Sequence, residues 1–148
     1  MRVEPYQERY LPDVVALIRL FHSQVTVKYF GDIDTEAMMS TIDKETAWNK
    51  ENAFCLIDGE ECVGFYYGFP INSTLNNKLI FQQVFLYVRE ESRRYSVRFL
   101  KEIEKVLRSK GIDIMIMTVL ENYKSEPLKK FYQRLGYIPV ETHLMRNL

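Results

Sequence analysis

The sequence is poor in the residues that mark special architectures. Six glycines and five prolines are scattered through 148 residues. No internal repeat, low-complexity tract or linker is visible, so residues 1–148 read as a single domain. Two cysteines, Cys55 and Cys62, do not make a disulfide framework. No stretch approaches the roughly 18 consecutive apolar residues that a membrane span needs, and Glu4 and Glu8 sit where a secretory leader would be basic and apolar. The expected location is therefore cytoplasmic, with no membrane partner. Histidine is limited to His22 and His143, and no paired Cys-x-x-Cys or His-Glu-x-x-His occurs, so no metal site is expected. There is no Gly-x-Ser-x-Gly elbow and no Gly-Lys-Ser/Thr phosphate loop.

Charge of one sign is also missing. Twenty Lys and Arg balance twenty Asp and Glu, which argues against a nucleic-acid partner, since binding there needs uncompensated cations to displace phosphate counterions. The balance is uneven along the chain. Residues 89–110 carry eight cations against four anions, and residues 32–46 lean acidic through Asp32, Asp34, Glu36, Asp43 and Glu45. What the chain has in plenty is apolar surface, at 47% of residues, with ten Tyr and nine Phe. That composition suits a globular fold with a core or pocket rich in rings.

Periodicity gives the elements. Residues 2–6 read as a short strand. Pro12-Asp13 opens a helix with an apolar stripe at Val15, Leu17, Ile18 and Phe21; residues 25–30 fit no single pattern. Asp34 is placed to cap a second helix carrying Met38, Met39, Ile42 and Trp48. Residues 53–57 and 62–67 form a hairpin about Asp58-Gly59, which brings Cys55 and Cys62 near each other, as two half-buried free thiols rather than a bridge. A polar turn at 72–78 precedes a long apolar strand over 79–88. A helix capped by Ser96 buries Val97, Leu100, Ile103, Val106 and Leu107 and stops at Gly111. Residues 112–119 form a strand buried on both sides. Ser125 caps a last helix with Leu128, Phe131, Tyr132 and Leu135 on its apolar side, and residues 137–145 read as a closing strand. The helix between 79–88 and 112–119 implies that those two strands run parallel. The fold class is thus α+β, with a mixed central sheet and helices on both faces.

One stretch carries chemistry. The strand at 79–88 feeds the basic turn Arg93-Arg94-Tyr95-Ser96 at a helix start, where unpaired backbone N–H groups and the positive dipole end favour an anion. Arg93, Arg94 and Arg98 add full charge, a recipe for gripping phosphate or pyrophosphate. The alternative is a solvated basic helix start in which Arg93 and Arg94 pair with Glu90 and Glu91.

In its order of elements and in two local motifs the chain resembles the GNAT N-acetyltransferase superfamily, in particular the small members found in bacteriophages. Its Leu86-Tyr87-Val88 strand end, its Arg93–Arg98 turn and its Tyr132-Gln133-Arg134-Leu135-Gly136-Tyr137 ending match the family's fourth strand, pyrophosphate turn and Tyr-x-x-Leu-Gly-Phe/Tyr motif. The resemblance implies a mostly antiparallel sheet whose fourth and fifth strands splay apart. It implies acetyl-CoA as co-substrate and a small-molecule or protein amine as acceptor, with a homodimer as an open assembly. Leu86, Tyr87 and Val88 would pair with the pantetheine arm. Arg93, Arg94, Tyr95, Ser96, Val97 and Arg98 would wrap the pyrophosphate. Asn122, or Ser125 in its stead, would stand for the asparagine that follows the fifth strand. Tyr132 would protonate the departing thiolate.

The chain departs from that family where the pyrophosphate turn is glycine-rich. Ser96 and Arg98 take the glycine positions, and no glycine occurs between Gly68 and Gly111. On the fourth strand Gln82 and Gln83 stand where a carboxylate could act as base, leaving Glu121, the Asp32–Glu36 segment or a relayed water for that role. Two further readings follow from the crowded turn: a GNAT-like protein that acts by binding a partner protein, and an anion sensor.

Overall fold

A computed structural model describes residues 1–34, 36–37, 50–121 and 124–146, which fall into two compact units, 1–118 and 119–148. The first unit holds a five-stranded sheet in the spatial order β1-β2-β3-β4-β5, with β1 at Arg2–Pro5, β2 at Ala53–Asp58, β3 at Glu61–Asn72, β4 at Leu79–Val88 and β5 at Ile114–Ile116. The first four strands pair antiparallel, and β5 lies parallel to β4 through Ile80↔Ile114 and Gln82↔Ile116. The β2–β3 hairpin turns through Gly59 at φ +60°, a conformation that costs glycine little. The mixed, mostly antiparallel sheet expected from the sequence is the one observed.

Helix α1, Leu11–Phe21, follows the Glu8–Tyr10 turn and lays Val14 and Leu17 on one sheet face with Cys55, Ile57, Cys62, Phe65 and Tyr87. The helical path then widens into a π turn at His22–Thr26 and closes in a short α2, Val27–Phe30. This resolves residues 25–30 as helix. The other sheet face carries Phe54, Leu56, Tyr66 and Phe81, all buried, with the Tyr66 and Phe81 rings stacked at 6.1 Å. Helix α3, Ser96–Ser109, buries Phe99, Leu100, Ile103 and Leu107. Val97, expected on that stripe, lies at its flank and is exposed, while Phe99 takes the inner place. At Gly111 the backbone turns through φ +82° and the helix ends.

Several boundaries differ from the sequence reading. Ser96 is not a cap: a 3-10 turn over Glu90–Tyr95 runs directly into α3, Tyr95 holds the N-cap position, and no side chain bonds there. The strand expected over 112–119, buried on both sides, is formed only at Ile114–Ile116, and Ile114 is exposed because no element among the described residues packs over it there. Asp34 behaves as a cap, accepting the Ala37 N–H at 2.9 Å; Met38, Met39, Ile42 and Trp48 lie outside the described residues.

The second unit contains α4, Ser125–Arg134, ended by Gly136 at φ +96°. Lys124, not Ser125, is its N-cap. The closing strand expected over 137–145 is not formed among the described residues. That stretch is irregular, and Pro139 brings no N–H to a ladder there.

Both cysteines are free and fully buried, deeper than the half-burial expected. Hydrogen bonding with Cys62, then burial, pushes the Cys55 thiol far above its ordinary range. Neither thiol should therefore react with an aromatic disulfide reagent in the native protein, and both should react in denaturant. Prompt native labelling would contradict this placement.

Candidate functional site

Strand β5 pairs with only the first part of β4. Their backbone ladder covers Ile80–Gln82 and Ile114–Ile116. Just beyond it the two strands are linked by side chains: the Gln83 carboxamide oxygen accepts the Thr118 N–H at 3.1 Å, and Gln82 Nε2 donates to Thr118 Oγ1 at 3.3 Å. From Phe85 to Val88 no strand pairs with that edge of β4 among the described residues. Alternate N–H and C=O groups on this edge therefore have no ladder partner, which is the arrangement that accepts an extended ligand by strand-like pairing.

A β-bulge follows where the β5 ladder ends. Tyr67 pairs with Phe85 and Gly68 with Gln83, so Val84 is the extra residue. A bulge of this kind bends its strand and adds local twist. Gly68 permits the close approach: an added Cβ would lie 2.5 Å from the Gln82 carbonyl oxygen and closer still to the Phe81 ring. Neither Val84 nor Gly68 was singled out by the sequence pattern.

Leu86, Tyr87 and Val88 end β4. Tyr87 is buried on the α1 face, and its hydroxyl donates to Gln24 Oε1 at 3.1 Å. Leu86 is half-buried and lies opposite Tyr66; Val88 is buried opposite Gly64. On the π turn, His22 Nδ1 lies 2.8 Å from Thr26 Oγ1, and His22 Nε2 is buried with no hydrogen-bond partner among the described residues.

The basic turn leaves β4 directly. Arg93, Arg94 and Arg98 are exposed, as is Val97, while Tyr95 and Ser96 are half-buried. Arg93 reaches Glu90 at 3.4 Å, and the Arg94 guanidinium lies over the Tyr95 ring at 4.8 Å. The Ser96 N–H donates to the Arg93 carbonyl. Continuous helical backbone thus uses a donor that a glycine loop would leave open, and the positive charge comes chiefly from side chains.

In the second unit, Tyr132 is 5% exposed on α4, with its ring centroid 5.5 Å from Phe131 and 5.6 Å from Tyr137. Burial raises its phenol above the ordinary range, so it stays protonated at neutral pH. Glu121 is exposed and occupied: Lys129 Nζ lies 2.5 Å from Oε1, and the Ser125 hydroxyl donates to Oε2 at 3.1 Å. Those bonds, Lys129 first, hold its carboxyl below the usual range, which makes it a poor base. Asn122 lies outside the described residues. No group of three His, Cys, Asp or Glu side chains is placed to hold a metal among the described residues, and no helix there is long and apolar enough to cross a membrane.

No protein-family model matches the chain, and no curated protein matches its sequence. Solved structures do match in fold. An aminoglycoside acetyltransferase, HMB0005, from an uncultured soil metagenomic sample superposes with a TM-score of 0.73 at 14% identity, over 99% of this chain and 97% of that one. A second, meta-AAC0020, also from an uncultured soil metagenomic sample, gives 0.71 at 18% identity over 99% and 95%. The acetyltransferase AAC(6')-Iy, in complex with the bisubstrate analog CoA-S-monomethyl-acetylneamine, gives 0.73 at 13% identity over 99% and 97%. The chain therefore has a GNAT-like fold, a five-stranded mixed open sheet in which β4 and β5 run parallel.

Proposed function

We propose that this chain is an N-acetyltransferase that moves an acetyl group from acetyl-CoA to an amine by direct attack. The observation that carries the reading is the open edge of β4 from Phe85 to Val88, directly before an arginine-rich helix start. Backbone groups of Leu86, Tyr87 and Val88 would pair with the pantetheine arm and polarise the thioester carbonyl. Arg93, Arg94 and Arg98 would hold the pyrophosphate, so that binding energy remote from the reacting carbon positions the thioester. The amine nitrogen forms a bond to the acetyl carbon, the carbon–sulfur bond breaks, and Tyr132 gives its proton to the leaving thiolate. The neighbour meta-AAC0020, whose structure is also known in complex with sisomicin, and AAC(6')-Iy, bound to a CoA bisubstrate analog, support an amine acceptor and a CoA donor. Glu121, held by Lys129, supports the start of α4 rather than serving as base, so the amine would lose its proton through water.

Replacing Arg93 and Arg94 together with Ala tests the cofactor assignment. Each charge-assisted bond lost should cost about 1–3 kcal/mol, so acetyl-CoA affinity should fall at least tenfold while the melting temperature holds. An unchanged dissociation constant would remove the pyrophosphate role.

A second reading, a non-catalytic protein of the same fold that binds a partner protein, is favoured by the continuous helical backbone at 90–96 and the Arg93–Glu90 pair. A wild type that binds neither acetyl-CoA nor CoA would support it.

A further inference from the structure

Beside the open edge of β4, the sheet carries an apolar strip that the helices among the described residues leave exposed. Side chains alternate along a strand, so Tyr67, Phe69 and Ile71 of β3 share one face. Tyr67 and Phe85 pack against the α1 core cluster, which fixes that face as the α1 side. Cross-strand pairing extends it: Phe69 lies opposite Gln82, Ile71 opposite Ile80, and Ile80 beside Ile114. Phe69 and Ile71 are each 42% exposed and Ile114 38%, a contiguous row on three adjacent strands. At its inner end the strip meets Phe21, whose ring sits 4.9 Å from Phe85.

Acidic charge is absent from these walls. Residues 14–31, 63–72, 79–88 and 114–116 contain no Asp or Glu. Asp113, at the foot of β5, is occupied by the Leu79 N–H at 2.9 Å. A polycationic acceptor would find no counter-charge on this floor, whereas an apolar body would bury exposed Phe and Ile surface. The strip runs into the strand segment that the functional reading assigns to the thioester. An apolar body lying on it would carry its amine towards the carbonyl.

We propose that the acceptor is a primary amine on an aromatic or aliphatic body, seated on Phe21, Phe69, Ile71, Phe85 and Ile114. This rests on the acetyltransferase reading.

The test compares 2-phenylethylamine, spermidine and kanamycin as acceptors, with acetyl-CoA affinity measured alongside by calorimetry. The phenylethylamine should show kcat/KM at least tenfold above the two polycations. The exposed double variant Phe69→Ser/Ile71→Ser should raise its KM about tenfold and leave the acetyl-CoA dissociation constant unchanged. Calorimetric titration of 2-phenylethylamine into CoA-saturated protein should show the same loss without turnover. Faster acetylation of spermidine or kanamycin, no turnover of any of the three, or an unmoved KM in the double variant would each overturn the acceptor assignment while acetyl-CoA still binds. Failure to bind acetyl-CoA would instead sink the acetyltransferase reading, and the acceptor with it.

Discussion

Tyr132→Phe should lower acetyl transfer by roughly 10²-fold, the lower end of what a positioned general acid contributes, and leave fold and acetyl-CoA affinity nearly intact. The substitution removes one hydroxyl and keeps the ring. Phe131 and Tyr137 pack around that ring at centroid distances of 5.5 and 5.6 Å, and those contacts survive. Within residues 119–148 the hydroxyl has no hydrogen-bond partner among the described residues, so little local structure depends on it. Its burial keeps the proton on the oxygen across the neutral range, and a donor of that kind is what a departing thiolate requires. If Tyr132 serves packing alone, the Phe variant will turn over at the wild-type rate. Melting temperature, cofactor affinity and rate measured on one preparation separate these outcomes.

Gly68→Ala should be the most damaging small substitution in the first unit. The new methyl would meet the Gln82 carbonyl oxygen at 2.5 Å and press on the buried Phe81 ring. A flexible side chain could yield, but a ladder carbonyl cannot move without disturbing the β3–β4 register. Overpacking of this kind costs on the order of 3 kcal/mol, the upper part of its usual range, or a fall in melting temperature of about 10 °C for a domain of this size. Gly64→Ala is the control. Its nearest contacts, the Leu56 and Val88 side chains at 3.1 Å, need yield only a few tenths of an ångström, so it should cost distinctly less. Equal melting temperatures for the two variants would contradict the close approach at the bulge.

Much of the first unit is written in simple patterns. The run from Leu79 to Val88 is apolar between a polar turn and a charged one, and β4 keeps those limits. The helix that follows forces a crossover, and the parallel β4–β5 pair results. The bulge at Val84 is not legible because Phe-Gln-Gln-Val-Phe-Leu-Tyr-Val offers apolar residues to both faces, and one extra residue disturbs no alternation. The π turn at His22–Thr26 escapes for a similar reason, since widening one turn shifts the apolar stripe by a single position. Ser96 has the side chain of a cap, but the Glu90–Tyr95 turn already provides the carbonyl that its N–H needs. Tyr132 was chosen for its place before Leu135 and Gly136, and the structure puts it, buried, on α4. Glu121 was chosen for its carboxylate, and only the structure reveals that Lys129 and Ser125 hold it.

The claim on which the account turns is that the open edge of β4 receives the pantetheine arm of acetyl-CoA. Backbone-amide NMR of the wild-type protein during an acetyl-CoA titration reads that edge directly. We expect saturable, one-to-one shifts at Phe85–Val88 and at the start of α3 around Ser96–Arg98, both weakened together in the Arg93→Ala/Arg94→Ala protein. Amides of Phe85–Val88 that stay unmoved at saturating acetyl-CoA would contradict it.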